Sequence, residues 1–233
     1  MQAIEGAAQV VPKFWRTPYG VINAVPEDNV VTESLARHGR WVESELDFLG
    51  ELLPEGATVV EVGGEYGAHA LCLSKVVGAT GEVHVLEQDR LLHLQTCANI
   101  ALNGVVNVYA HLPAKGRRAY SSLRDLDLAA LHCIKVNPTG VLDGLLAEVK
   151  DLVRQHKPYL YFRLGSPHSA RDEIRAVKAL GYRCWSHIAY LHAATDPAAA
   201  VDAVAFPGWA HQNVIAAPQE SGLDADFSHL REI

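Results

Sequence analysis

The sequence predicts an α/β protein: a Rossmann-like, mostly parallel sheet with helices on both faces and an antiparallel hairpin at one edge. Three observations carry that expectation. From about residue 57 onward, short β-branched runs alternate with stretches of helical periodicity, the pattern of successive βαβ units. The first run meets the first helical stretch through a glycine-rich turn, Gly63-Gly64-Glu65-Tyr66-Gly67. Near the end, two strand-like runs are separated by a loop without an intervening helix, which predicts antiparallel closure of the edge.

Taken in order, 58–62 is a buried strand, followed by a helix over 67–77. Residues 82–87 form a second strand and 91–102 a helix with apolar residues at helical spacing. A short third strand covers 107–110, and a fourth covers 131–136 with a helix over 141–155 behind it. The fifth strand, 158–164, leads into a helix over 169–180, and the closing hairpin pairs 182–191 with 213–217. The first 56 residues read differently. Phe14 to Gly20 is an aromatic loop with turn chemistry; Asp28 or Asn29 caps a short helix to Arg37, and 44–53 makes another. The division is therefore an N-terminal extension or lid, 1–56, laid across a nucleoside-binding sheet domain, 57–233. The extension is too short to build its own core.

Composition narrows the function. With 233 residues, 49% of them hydrophobic and 20% charged, the chain buries a core without disulfide or metal staples. A formal net charge of −7 and the lack of a basic cluster point away from nucleic acid and toward a small-molecule partner. No apolar run reaches membrane-spanning length and the N-terminus lacks a signal-peptide pattern, so a cytoplasmic protein is expected. Cys72, Cys97, Cys133 and Cys184 are dispersed and read as buried thiols. The histidines show no metal-ligand spacing, so no metal is expected. Oligomeric state is not legible.

The chemistry concentrates after the first strand. Glycines at a strand-to-helix turn let backbone approach a ligand closely. Gly63, Gly64 and Gly67 do not follow dinucleotide GxGxxG spacing, and Glu61 stands two residues before the first of them. A carboxylate there is ill suited to a pyrophosphate but pairs with a cationic amino group, as in S-adenosylmethionine. Glu87 ends the second strand, 26 residues after Glu61, where an acid accepts ribose hydroxyls. The expected binding residues are Glu61, Gly63, Gly64, Glu65, Gly67, Glu87 and Gln88. Packing alone explains an isolated glycine turn or strand-end acid; together, in a βαβ context, they point to a nucleoside ligand.

In this order the pieces resemble the FkbM-type S-adenosylmethionine-dependent methyltransferases, across about residues 38–217. The resemblance rests on His38 to Glu45, on Glu61 to Leu71 and on Val83 to Gln88. It continues through Ala98 to Asn103 and Ile134 to Gly140. It implies a class I methyltransferase fold, S-adenosylmethionine as donor or substrate, and a place in secondary metabolism. Departures are concentrated on the acceptor side. The family's two acids after the fourth strand are Asn137 and Thr139 here, and its acid after the fifth is Arg163.

Those departures leave three readings open. The first is methyl transfer to an oxygen or nitrogen of a small acceptor. The second is a cyclase in which the donor's own amine attacks its γ-carbon, giving azetidine-2-carboxylate and methylthioadenosine. The third is a non-catalytic binding module. Asn137, Tyr182 and Ser186 are the polar, uncharged candidates for catalytic work, against a packing role for Tyr182 and Ser186. Lys135 reads as a supporting lysine that snorkels or pairs, and His69 as a histidine packed on the sheet. His187 and His192 are possible proton acceptors. Trp15, Tyr19 and Trp41 either close over the ligand or anchor the extension.

Overall fold

The computed structural model describes residues 13–25, 29–191, 209–219 and 225–233. His192 and Asp28 therefore lie outside the described residues. Strands β1 (Lys13–Thr17) and β2 (Gly20–Ala24) form an antiparallel hairpin, where the sequence suggested an aromatic loop. The turn is clipped by Thr17, whose hydroxyl donates to the Gly20 carbonyl at 2.6 Å and accepts the Gly20 N–H at 3.0 Å. Ile22 and Ala24 face inward while Phe14 stays exposed. Alternation of this kind is a strand property, and the turn residues had obscured it.

Helix α1 (Val30–His38) starts at Asn29, whose side chain accepts the Thr32 N–H at 3.0 Å, and stops at Gly39 in the left-handed conformation. Helix α2 (Glu43–Leu52) follows. The sheet domain then runs β3 (Thr58–Val62), α3 (Ala68–Val77), β4 (Glu82–Leu86), α4 (Arg90–Leu102) and β5 (Val108–His111). It continues with β6 (Cys133–Val136), α5 (Leu142–His156), β7 (Tyr159–Arg163), α6 (Pro167–Lys178), β8 (Tyr182–Tyr190), β9 (Ala210–Pro218) and β10 (Arg231–Glu232). A 3₁₀ segment at Ala119–Asp125 and the short β10 had no signal in the sequence reading.

The eight-stranded sheet has the order β10-β8-β9-β7-β6-β3-β4-β5. Strands β5, β4, β3, β6 and β7 are parallel, and β9 closes the edge antiparallel to both β7 and β8. Every residue of β3 and β6 is buried, which is why they read as continuous apolar runs rather than alternating ones. One face packs Leu123, Leu145, Val149 and Val153 against Val60, Ile134 and Phe162. The other packs Leu46, Leu49, Leu73 and Val77 against Val59, Cys133 and Ile215.

After β3 the chain moves outward through β4 and β5, then returns to place β6 on the other side of β3. The reversal opens a crevice at the carboxyl ends of β3 and β6, where ligands bind in open α/β sheets. The glycine turn and Asn137 stand on its two sides.

The N-terminal elements are tied to that crevice. Asn99 of α4 accepts the Asn23 N–H at 2.7 Å and donates to the Asn23 and Tyr66 carbonyls at 2.9 Å each. Asn103 accepts the Val21 N–H at 2.8 Å. Trp41 is fully buried and Tyr19 nearly so, with the Tyr19 hydroxyl accepting the Trp41 N–H at 3.1 Å.

Candidate active site

The turn after β3 carries two non-glycine residues in the left-handed region, Glu65 at φ 42° and Tyr66 at φ 66°. Such conformations cost about 1–3 kcal/mol each and persist only where surrounding contacts impose them. Here the contacts are explicit. The Glu65 carboxylate accepts the Trp41 indole N–H at 2.6 Å and the Arg163 guanidinium at 2.9 Å. The Tyr66 hydroxyl takes a hydrogen bond from Asn29 at 2.9 Å, and its carbonyl takes one from Asn99.

Beneath this turn lies a buried ionic cluster drawn from six elements. Lys135 of β6, fully buried, pairs with Glu45 of α2 at 3.0 Å and with Glu61 of β3 at 3.7 Å. Its ammonium also donates to the Asn137 side-chain carbonyl. Asn137 in turn donates to Glu61 at 2.9 Å and to the Gly63 carbonyl at 2.6 Å. Glu45 Oε1 accepts His211 Nδ1 at 2.9 Å and Asn213 at 3.2 Å, with Arg163 at 3.6 Å. His69, fully buried on α3, donates from Nε2 to the Trp41 carbonyl at 3.2 Å. Lys135 is therefore drawn inward to acids rather than snorkelling to water.

The electrostatics follow from these contacts. Burial alone raises a carboxyl's pKa. At Glu45 that effect is outweighed by Lys135, the His211 hydrogen bond, His69 and Arg163, which hold it well below the ordinary range. At Glu65 burial is outweighed chiefly by Arg163, which brings it down to about 2. Glu87, at the end of β4, is raised by burial, opposed by the N–H groups that it accepts. These include Gly64 N–H at 2.9 Å and Asp89 N–H at 2.8 Å, one on each oxygen.

The glycines have identifiable neighbours. A Cβ on Gly63, at φ 81°, would lie 2.8 Å from the Pro138 ring; one on Gly64 would lie 2.6 Å from Val85. A Cβ on Gly67, at φ 79°, would meet Thr96 at 3.2 Å. The cradle thus depends on glycine for its own packing as well as for closeness to a ligand.

A profile of the protein-L-isoaspartate(D-aspartate) O-methyltransferase family matches residues 4–130. The chain belongs to this family. The matched part holds the hairpin, the glycine turn and Glu87, and ends before β6. Solved structures share the fold at low identity. A SAM-dependent O-methyltransferase from Thermotoga maritima is 14% identical, with TM-score 0.54, 90% of this chain covered and 78% of that one. Precorrin-6y C5,15-methyltransferase from Geobacter metallireducens is 12% identical, with TM-score 0.54 and coverage of 76% and 87%. A SAM-dependent methyltransferase from Aquifex aeolicus is 17% identical, with TM-score 0.50 and coverage of 79% and 92%. A search of curated proteins by sequence finds no match. The fold is the Rossmann-like class I methyltransferase fold, and S-adenosylmethionine is the methyl donor it serves.

The cradle of this O-methyltransferase-family chain fits that donor on two observations. Among the described residues, Glu45, Glu61 and Glu65 pair with two permanent cations, Lys135 and Arg163. The imbalance suits a ligand that carries a sulfonium, an ammonium and one carboxylate. Glu61 Oε2 is also buried without a hydrogen-bond partner, an acceptor of the kind that a ligand satisfies.

Of the residues singled out by sequence, Glu61, Gly63, Gly64, Glu65, Gly67, Glu87 and Asn137 come together around the crevice. Gln88 sits beside Glu87, exposed. Tyr182 and Ser186 do not join them. Tyr182 pairs with Pro218 at the far end of β8, its hydroxyl buried and without a partner. Ser186 lies in mid-strand between β9 and β10. The expectation placed them with Asn137 because strand order and direction at a closing edge are not readable from periodicity. His187 is committed to the Tyr161 hydroxyl at 2.8 Å and stacks on Phe48. Sequence reasoning missed Glu45, Arg163 as a partner of Glu65, and His211. Arg163 was noticed only as a missing acid.

Proposed function

We propose that this chain transfers the methyl group of S-adenosylmethionine to an oxygen of a small-molecule acceptor. The observation that carries the reading is the acidic excess of the cluster under the glycine turn, set beside Glu87 at the next strand end. Bound there, S-adenosylmethionine supplies an electrophilic methyl carbon on sulfur. The chain's own residues bind and align. Glu87 has lone pairs left after accepting two N–H groups and takes the ribose hydroxyls, with Gln88 at its rim. Gly63, Gly64 and Gly67 bring backbone close to the ligand, while Glu61 and Glu65 face its positive charge. Asn137 spends its amide on Lys135, Glu61 and Gly63, so its role is to fix the glycine turn to β6. Trp41, pinned by Glu65, supports the wall that keeps water from the crevice.

The resemblance to FkbM-type enzymes over 38–217 supports the same donor. The isoaspartyl acceptor in the family's name belongs to the relatives. The acceptor side of this chain, from β6 onward, lies outside the family match, so the acceptor is argued from its own residues. Calorimetry with S-adenosylmethionine, followed by mass spectrometry of the products, tests the reading. Binding, with S-adenosylhomocysteine formed only when acceptors are added, is the expected result. Methylthioadenosine from the donor alone would replace it with cyclisation.

A further inference from the structure

Among the described residues, one histidine at the crevice has the geometry of a base. His211 opens β9 beside the carboxyl end of β7, and its side chain is 15% exposed. A carboxylate only accepts, so the 2.9 Å contact from Nδ1 to Glu45 Oε1 puts the ring proton on Nδ1. Nε2 is left with its lone pair. The orienting carboxylate cannot wander: it is 1% exposed and held by Lys135, Asn213 and Arg163. Trp41 packs edge-on against the imidazole at 5.5 Å and donates its indole N–H to Glu65 in the glycine turn. The ring is thus oriented by the same residues that shape the donor cradle.

A base so held is needed only if the acceptor has a proton to lose. A carboxylate acceptor has none; an alcohol or phenol must shed one as its oxygen attacks. We propose that His211 is the general base of the reaction, that Glu45 positions it, and that the acceptor is a hydroxyl compound rather than a carboxylate. This rests on the methyl-transfer reading above. In the step, the acceptor oxygen forms a bond to the methyl carbon of the sulfonium donor. The carbon–sulfur bond breaks with its electrons staying on sulfur, and the hydroxyl proton passes to His211 Nε2. Release of that proton to water restores the neutral ring. The groups in contact with the imidazole are Glu45 from α2 and Trp41 before it; Arg163 from β7, Asn213 from its own strand and Lys135 from β6 all converge on the Glu45 carboxylate.

The test uses the full chain and its His211→Gln variant. Nitrogen-15 NMR of the histidine side chains reads the tautomer without any turnover. An Nδ1–H ring for His211 in the neutral form is expected; an Nε2–H ring overturns the proposal. Turnover is then read with S-adenosylmethionine and two probes, catechol and a short isoaspartyl peptide. The expected result is catechol methylation that falls about 10²–10⁴-fold in His211→Gln, with donor affinity by calorimetry unchanged. The low-pH limb of the rate profile should vanish with it. Methylation of the peptide at equal rates in both proteins sinks the dyad while keeping the methyltransferase. Failure of the unsubstituted chain to bind the donor sinks the reading beneath both.

Discussion

Glu87 and Gly63 occupy positions where one atom decides the outcome. Each Glu87 oxygen already accepts a backbone N–H, so removing the carboxylate costs the turn as well as the ligand. Glu87→Ala is expected to weaken donor binding by about 1.5–3 kcal/mol for each charge-assisted hydrogen bond lost. Titration calorimetry measures it, and an unchanged dissociation constant refutes the assignment. Gly63→Val drives a side chain toward Pro138 and strains a positive φ, so donor binding is expected to disappear. Circular dichroism of that variant separates loss of the cradle from loss of the fold. Lys135 is the third such position. Lys135→Met leaves Glu45 and Glu61 buried without their nearest cation. Breaking a buried pair in this way costs about 3–5 kcal/mol, read as a lower urea midpoint with the slope retained.

The elements show why the N-terminal segment needs the sheet. Hairpin β1–β2 is too small to be stable alone, and its anchors are side chains of α4 rather than strand neighbours. Asn99 alone satisfies two backbone groups of Asn23 and the Tyr66 carbonyl. Asn99→Ala should therefore loosen the hairpin and the glycine turn together, with a loss of about 1–3 kcal/mol from groups left unpaired. Amide hydrogen exchange tests this: Val21 and Asn23 should exchange faster while β3 and β6 stay protected. Uniform exchange across all four would mean that Asn99 is only a core contact.

For the whole molecule, the buried cluster couples stability to pH. The carboxyls of Glu45 and Glu65 have folded pKa values below their unfolded ones, so the unfolded chain binds protons first as pH falls. Their stabilisation is complete above the unfolded value of about 4.3 and is lost as pH drops through the folded value, about 2 for Glu65. Thermal unfolding between pH 5 and 2.5 should show a falling midpoint. An Arg163→Gln variant should flatten that dependence, because Arg163 is the strongest influence lowering Glu65. An equally steep fall in that variant would place the acid sensitivity elsewhere.

The order of strands and helices was legible in the sequence because burial and periodicity are local. Residues 58–62 read as a doubly covered strand, and β3 is buried at every position. The glycine turn and Glu87 were legible for a related reason: each stands at the end of a strand in a βαβ unit, so topology brings them together. Hairpin β1–β2 was missed because Pro18 and Gly20 look like loop chemistry until the pairing is seen. Tyr182 was grouped with Asn137 although β8 runs in the same sense as β7, so its first residue lies at the opposite end of the sheet from the strand-end crevice.

The sequence by itself determined the fold class and the placing of the glycine turn and Glu87 at neighbouring strand ends. Only tertiary structure decided which charges meet. Glu45 and His211 are 166 residues apart, and Arg163 reaches Glu65 across 98. No local pattern encodes such pairs. They exist because the fold brings Glu45 of α2 to Arg163 of β7 and to His211 and Asn213 of β9, and because a buried carboxylate is stable only where cations and donors converge on it.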